Sequence, residues 1–158
     1  MKYWDELLYP EVLATIRGQR YLMMTDKEIA DELIALAKRA INNFLFPNVT
    51  LNYAFTSDPD NEVMPKRYYF TDDGVGDKEV AVLVAWMKFF WTDFIIASAD
   101  NFQNLYYDSN IKSYSPGNTL HNLMKAKEEY ESTAREIESR YYRTSDGQPT
   151  IVGTIDEQ

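Results

Sequence analysis

Few residues in this sequence stand at the spacings that chemistry needs. Its single histidine, His121, has Gly117, Asn118, Met124 and Lys125 three and four residues away. A metal site wants several ligands at set spacings, and none of these neighbours is one. His121 is therefore expected on a helix surface or at a cap. Asp58, Asp60 and Glu62 alternate as the first ligands of a calcium-binding loop do. The sixth position of that loop needs Gly and holds Val63, and the twelfth needs an acid and holds Tyr69. Gly74-Val75-Gly76 has the beginning of a phosphate-cradling loop, but Glu79 occupies the third glycine position and no βαβ unit surrounds it. No nucleophile elbow, Walker loop or supported carboxylate pair is present. Cysteine is absent, which removes disulfides, thiolate metal sites and cysteine nucleophiles. The expectation is a protein that is not an enzyme, with no catalytic, cofactor-binding or metal-ligating residue and no cofactor.

The elements that would position any site are mostly helical. Residues 5–20 carry helical spacing through Leu7, Leu8, Val12, Leu13 and Ile16, and Pro10 suits a first turn, so the helix is expected to begin there. Thr25-Asp26-Lys27-Glu28 is a capping box, in which hydroxyl and carboxylate satisfy free amides reciprocally. Ile29, Leu33, Leu36, Ala37, Ala40 and Phe44 then share one face, and Pro47 stops the helix. Val49, Leu51, Tyr53 and Phe55 alternate with Thr50, Asn52 and Ala54, the period of a half-buried strand. Ser57–Asn61 is turn chemistry, and Arg67–Thr71 is expected to return as the second strand. A lone two-stranded hairpin is marginal in water, so a surface must support it, and a neighbouring subunit is one source.

After Asp72-Asp73-Gly74-Val75-Gly76, with Asp77 as the expected cap, the longest helical stretch runs from Lys78 to about Tyr107. Val82, Leu83, Ala85, Trp86, Phe89, Phe90, Phe94 and Ile96 leave it almost no polar face. Such a helix is central in its fold or covered on both sides. Part of Trp86, Phe90, Trp91 or Phe94 is inferred to face another chain, the plain alternative being a core helix. Lys88 and Asp93 in mid-segment argue against a bilayer span. Ser113–Asn118 reads as a turn opening a long last helix. There Leu120, Leu123, Tyr130, Ala134, Ile137 and Tyr141 form the apolar stripe, and Glu131 and Arg135 are spaced for an ion pair. Asp146–Pro149 reads as a turn and Thr150–Ile155 as a short, apolar, β-prone tail.

The fold class expected is mainly α: a bundle of about four helices with an inserted β-hairpin or ordered loop and an extended C-terminal tail. One helical domain spans residues 1–143, with the hairpin at about 49–71, and the tail spans 144–158. The 158 residues suffice for one core. Aromatics reach 15%, a load that suggests partner-covered surface or a tyrosine-rich core. The net charge of −9 argues against gripping nucleic acid, because phosphate neutralisation needs an excess of Lys and Arg. It leaves room for a surface that repels DNA. The N-terminus, Met1-Lys2-Tyr3-Trp4-Asp5-Glu6, lacks the pattern of a signal peptide.

Three segments carry a resemblance to a known family. "MTDKEIADELIALAKRAINNFLFP" (24–47) looks like a capped amphipathic opening helix, and "DKEVAVLVAWMKFFWTDFIIASADNF" (77–102) like an aromatic-rich central helix. "IKSYSPGNTLHNLMKAKEEYESTAREIESRYYR" (111–143) looks like a turn with a long last helix. In order and character these resemble the head–tail connector (adaptor or neck) proteins of tailed bacteriophages, over about three-quarters of the chain. The hairpin and the added length depart from the simplest members. The resemblance implies a structural virion protein of the neck, assembled in the host cytoplasm. It implies a homo-oligomeric ring, commonly a dodecamer, seated between the portal protein and the stopper or tail proteins. DNA would pass through the ring without specific binding, and no membrane would be involved. Interface residues are then expected at Trp86, Phe90, Trp91, Tyr141, Tyr142, Ile151, Val152 and Ile155, with 141–155 reaching toward the portal. The rival readings are a small acidic regulatory or inhibitor protein that binds one partner, and an enzyme with an unfamiliar site.

Overall fold

The computed structural model describes residues 1–15, 24–97, 116–145 and 148–149. The order is β1 (Lys2–Tyr3), α1 (Trp4–Leu7), α2 (Tyr9–Thr15), α3 (Asp26–Asn43), β2 (Tyr53–Ser57), β3 (Lys66–Phe70), α4 (Asp77–Ala97), α5 (Pro116–Arg143), β4 (Thr144–Ser145) and β5 (Gln148–Pro149). The protein is mainly helical with a small antiparallel sheet, the fold class expected. α4 lies at the centre, packed by α3, α5 and α2.

The first helical stretch is two helices, not one. Pro10 has no amide hydrogen to give, so the ladder breaks at Leu8, and α2 starts at Tyr9. Residues 16–20 of the expected helix lie outside the described residues. α3 begins as its sequence requires. The Thr25 hydroxyl accepts the Glu28 amide at 3.2 Å, and the Glu28 carboxylate accepts the Thr25 amide at 2.7 Å. Those bonds, from the Thr25 backbone first and its side chain second, hold the Glu28 carboxyl below its ordinary range. Thr25→Ala should cost about 1 kcal/mol in urea denaturation. A depressed carboxyl stabilises above its unfolded value and loses that contribution as pH falls through the folded one. The deficit of Thr25→Ala against the parent should therefore shrink on acidification.

The hairpin is present, and its support comes from the chain itself. The sheet order is β1-β3-β2, with Tyr53 opposite Phe70 and Ser57 opposite Lys66 on one side, and Lys2 opposite Phe70 on the other. Trp4, fully buried, stacks on Tyr68 at 5.0 Å and meets Tyr53 and Phe70 edge-on or tilted at 4.9 and 5.7 Å. Arg67 clamps β3 to α1 through Asp5 at 2.9 Å and through Glu6. The role offered to a neighbouring subunit is thus taken by residues 2–6. The strand expected from Val49 starts only at Tyr53, because the Asp72 carboxylate captures the Thr50 amide at 3.2 Å. The other Asp72 oxygen accepts the Gly74 amide at 2.7 Å. A Cβ on Gly74 would lie 2.9 Å from that oxygen, so a side chain there would push the Asp72 carboxylate out of this bond.

Asp77, expected as the cap of α4, is its first helical residue. The cap position is Gly76, whose carbonyl accepts the Val80 amide at 3.0 Å and whose amide donates to Glu79 at 2.9 Å. By length and composition α4 can cross a membrane. Here most of it is buried against the chain's own helices. Asp93 bonds to Lys127 at 2.8 Å and lies 3.6 Å from Arg39, which ties α4 to α5 and α3. The expected extension of α4 to Tyr107 lies outside the described residues. α5 opens with Pro116 at its first position, so Pro116, Gly117 and Asn118, expected in a turn, are helical. Glu131 pairs with Arg135 at 2.8 Å, as its spacing predicts. Gln148 and Pro149, also expected in a turn, pair with Ser145 and Thr144 as a two-residue strand.

Candidate interaction surface

The expected interface residues separate into three groups. Trp86, Phe90, Trp91 and Tyr141 are 5, 6, 3 and 4% exposed. Their cover comes from the same chain: the Trp86 indole donates to Glu138 at 3.1 Å, and the Arg39 guanidinium lies 4.1 Å from the Phe90 ring. These four work in the core. Tyr142 is half-buried at the end of α5. Ile151, Val152 and Ile155 lie outside the described residues. His121 is exposed on α5. Among the described residues no group of three or more His, Asp or Glu is placed to hold a metal ion.

What the structure does build is a corner where the segment after α3 meets the last turn of α5. Phe44 turns inward and meets Tyr141 edge-on at 5.0 Å. The Asn48 amide donates to the Tyr141 hydroxyl at 2.6 Å, and that hydroxyl donates to the buried Glu79 carboxylate at 2.8 Å. The other Glu79 oxygen caps α4 through Gly76. One chain of hydrogen bonds thus joins the segment after α3, the end of α5 and the start of α4. The neighbouring Tyr142 donates to Glu138 at 2.7 Å and receives a backbone bond from Phe46. Burial first, and the Glu138 carboxylate second, push the Tyr142 hydroxyl well above the ordinary tyrosine range. It stays a neutral donor across the physiological range.

Two consecutive tyrosines therefore pin residues 44–48, and between the pins Leu45 and Phe46 are each 70% exposed. The Phe46 ring lies 6.2 Å from that of Tyr142. An ordered backbone presenting two large apolar side chains to solvent is the physical form of a recognition anchor, since little freedom is left to lose on binding. Sequence periodicity passed over this pair because it follows the helix and precedes the strand. A compositional signal was available. From Ala40 to Ser57 no residue is charged, in a chain where 26% are, and interface cores are depleted in charge. Tyr53 and Phe55, 39 and 46% exposed on the free edge strand β2, belong to the same run.

Comparison with known proteins brings no match: no family model, no curated protein and no solved structure is similar to this chain.

Proposed function

We propose that this chain is a structural subunit of a protein assembly, of the head–tail connector kind found in tailed bacteriophages. In that role it forms a ring between portal and tail and binds proteins instead of transforming a substrate. The observation that carries the reading is the pinned Leu45–Phe46 corner within an uncharged run, on a chain of net charge −9. Like-charged copies repel, so a neutral apolar patch is where contact between them is affordable. The capped α3, the aromatic α4 and the long α5 add the order of elements on which the resemblance rests. Acidic side chains on the exposed side of α5, such as Glu128, Glu129 and Glu136, suit a surface past which DNA slides. They equally suit the rival, a small acidic regulator that mimics DNA toward one protein.

Cross-linking mass spectrometry on purified particles from the source separates the two. A connector is present at a ring-like copy number, and its segment 144–158 cross-links to the portal. A protein absent from intact particles and found only in cell lysate is the regulator.

A further inference from the structure

An Asp-Gly step is where a protein backbone rearranges most readily, because glycine has no side chain to hinder attack of its amide nitrogen on the preceding carboxyl. The sequence has two such steps, Asp73-Gly74 and Asp146-Gly147, and no Asn-Gly. Asp73 and Gly74 are both exposed, so water reaches them. The peptide group that joins them is nevertheless held at both of its polar atoms. Its oxygen, the Asp73 carbonyl, accepts from the Lys2 ammonium at 2.7 Å. Its N–H, on Gly74, donates to the Asp72 carboxylate at 2.7 Å. Each holder is itself fixed. Lys2 stands in β1 and also donates to the Val75 carbonyl, and Asp72 accepts the Thr50 amide.

We infer that Asp73 is a site of succinimide and isoaspartate formation that the docking of β1 holds closed. In the first step the Gly74 nitrogen bonds to Cγ of Asp73 and loses its proton. The carboxyl hydroxyl leaves, so one water is released. Water then adds to the main-chain carbonyl carbon of Asp73, and the bond from that carbon to the Gly74 nitrogen breaks. The chain now runs through the Asp73 side chain, with one more carbon in its backbone, and the former carbonyl is a free carboxylate. No reactant besides water is needed. Ring closure requires the Asp73-Gly74 peptide plane to swing toward the side chain, and both clamps must open for that. The Lys2 clamp opens when the two residues of β1 leave β3. Isoaspartate at position 73 is therefore a covalent record that the sheet has opened. The inference does not rest on the connector reading.

The test follows isoaspartate in peptide 68–78 of the full chain by electron-transfer mass spectrometry, during storage at physiological temperature and pH. The synthetic peptide of the same residues gives the unclamped rate. The parent chain should convert at least tenfold more slowly than that peptide. Lys2→Met lies outside the peptide and leaves its intrinsic rate unchanged, so it should raise conversion in the full chain at least fivefold. Lys2→Arg keeps a donor and should stay near the parent. A parent chain that converts as fast as the peptide, or a Lys2→Met chain no faster than the parent, overturns the inference. So does a Lys2→Met chain whose conversion rises by the same factor at Asp146-Gly147, since that reports general loosening.

Discussion

Trp4→Ala should lower the free energy of unfolding by about 3–5 kcal/mol, the range for deleting a buried aromatic side chain. Trp4 is fully buried and fills the space between α1 and the inner face of the sheet, against Tyr53, Tyr68 and Phe70. Its removal opens a cavity under the sheet and leaves the β1 pairing and the Arg67 clamp to hold the hairpin against α1. A domain stabilised by about 5–15 kcal/mol would lose a large share of its margin. Trp4→Phe separates packing from polarity. The Trp4 indole N–H is buried without a hydrogen-bond partner, so the smaller ring removes area and also an unsatisfied donor. Its cost should stay below about 2 kcal/mol. Urea denaturation followed by circular dichroism measures both. Equal losses for the two variants would mean that Trp4 does not work by filling space.

Tyr141→Phe should cost about 2–4 kcal/mol, far more than one exposed hydroxyl is worth. Its hydroxyl stands between the Asn48 amide and the buried Glu79 carboxylate. Removing it takes one bond from each, and a hydrogen bond to a charged group contributes about 1.5–3 kcal/mol by itself. The ring against Phe44 remains, so the loss reports the polar chain alone. Tyr142→Phe is the control. Tyr142 is only half-buried, and the loss of its bond to Glu138 should cost under about 1 kcal/mol. The two variants also differ at the surface. Losing the Tyr141 pin should loosen residues 44–48 and raise hydrogen exchange at Asn48, with α3 still protected. Unchanged exchange there would show that the segment is held by packing alone.

The helices were legible because their signals are local. The capping box of α3 needs only four residues, and the apolar stripe of α5 repeats within one helix, so both stand in the sequence as in the structure. The sheet was legible only in part. β2 and β3 alternate visibly, but β1 has two residues, too few for any period, and its partner Phe70 is far along the chain. The first turn of α4 was misassigned by one residue because Asp77 has good cap chemistry. The structure instead uses Glu79, which reaches back to Gly76 while bonding to Tyr141 on another helix. No sequence window contains that pair. The aromatic helix posed a question that sequence leaves open, whether its cover comes from within or from without. Trp86, Phe90 and Trp91 are covered from within, and Leu45 and Phe46, among the exposed large apolar side chains of the described residues, lie in a short segment that helical periodicity does not reach.

The pairing of Lys2 with Phe70 has a consequence for how the chain is made. Strand β1 is synthesised early and its partner follows 68 residues later. At about 5–20 residues per second that is a delay of roughly 3–14 s. From the moment they leave the exit tunnel, Trp4, Leu8 and Val12 wait without the sheet and the central helix that bury them. α3 can wind as it emerges, so it will be in place before the N-terminal residues find their strand. The closing of the sheet is thus a late event over a long loop, the slow kind of step for a folding chain. A nascent chain halted before residue 66 should bind a hydrophobic-peptide chaperone through residues 2–12 and release it once β3 has cleared the exit tunnel.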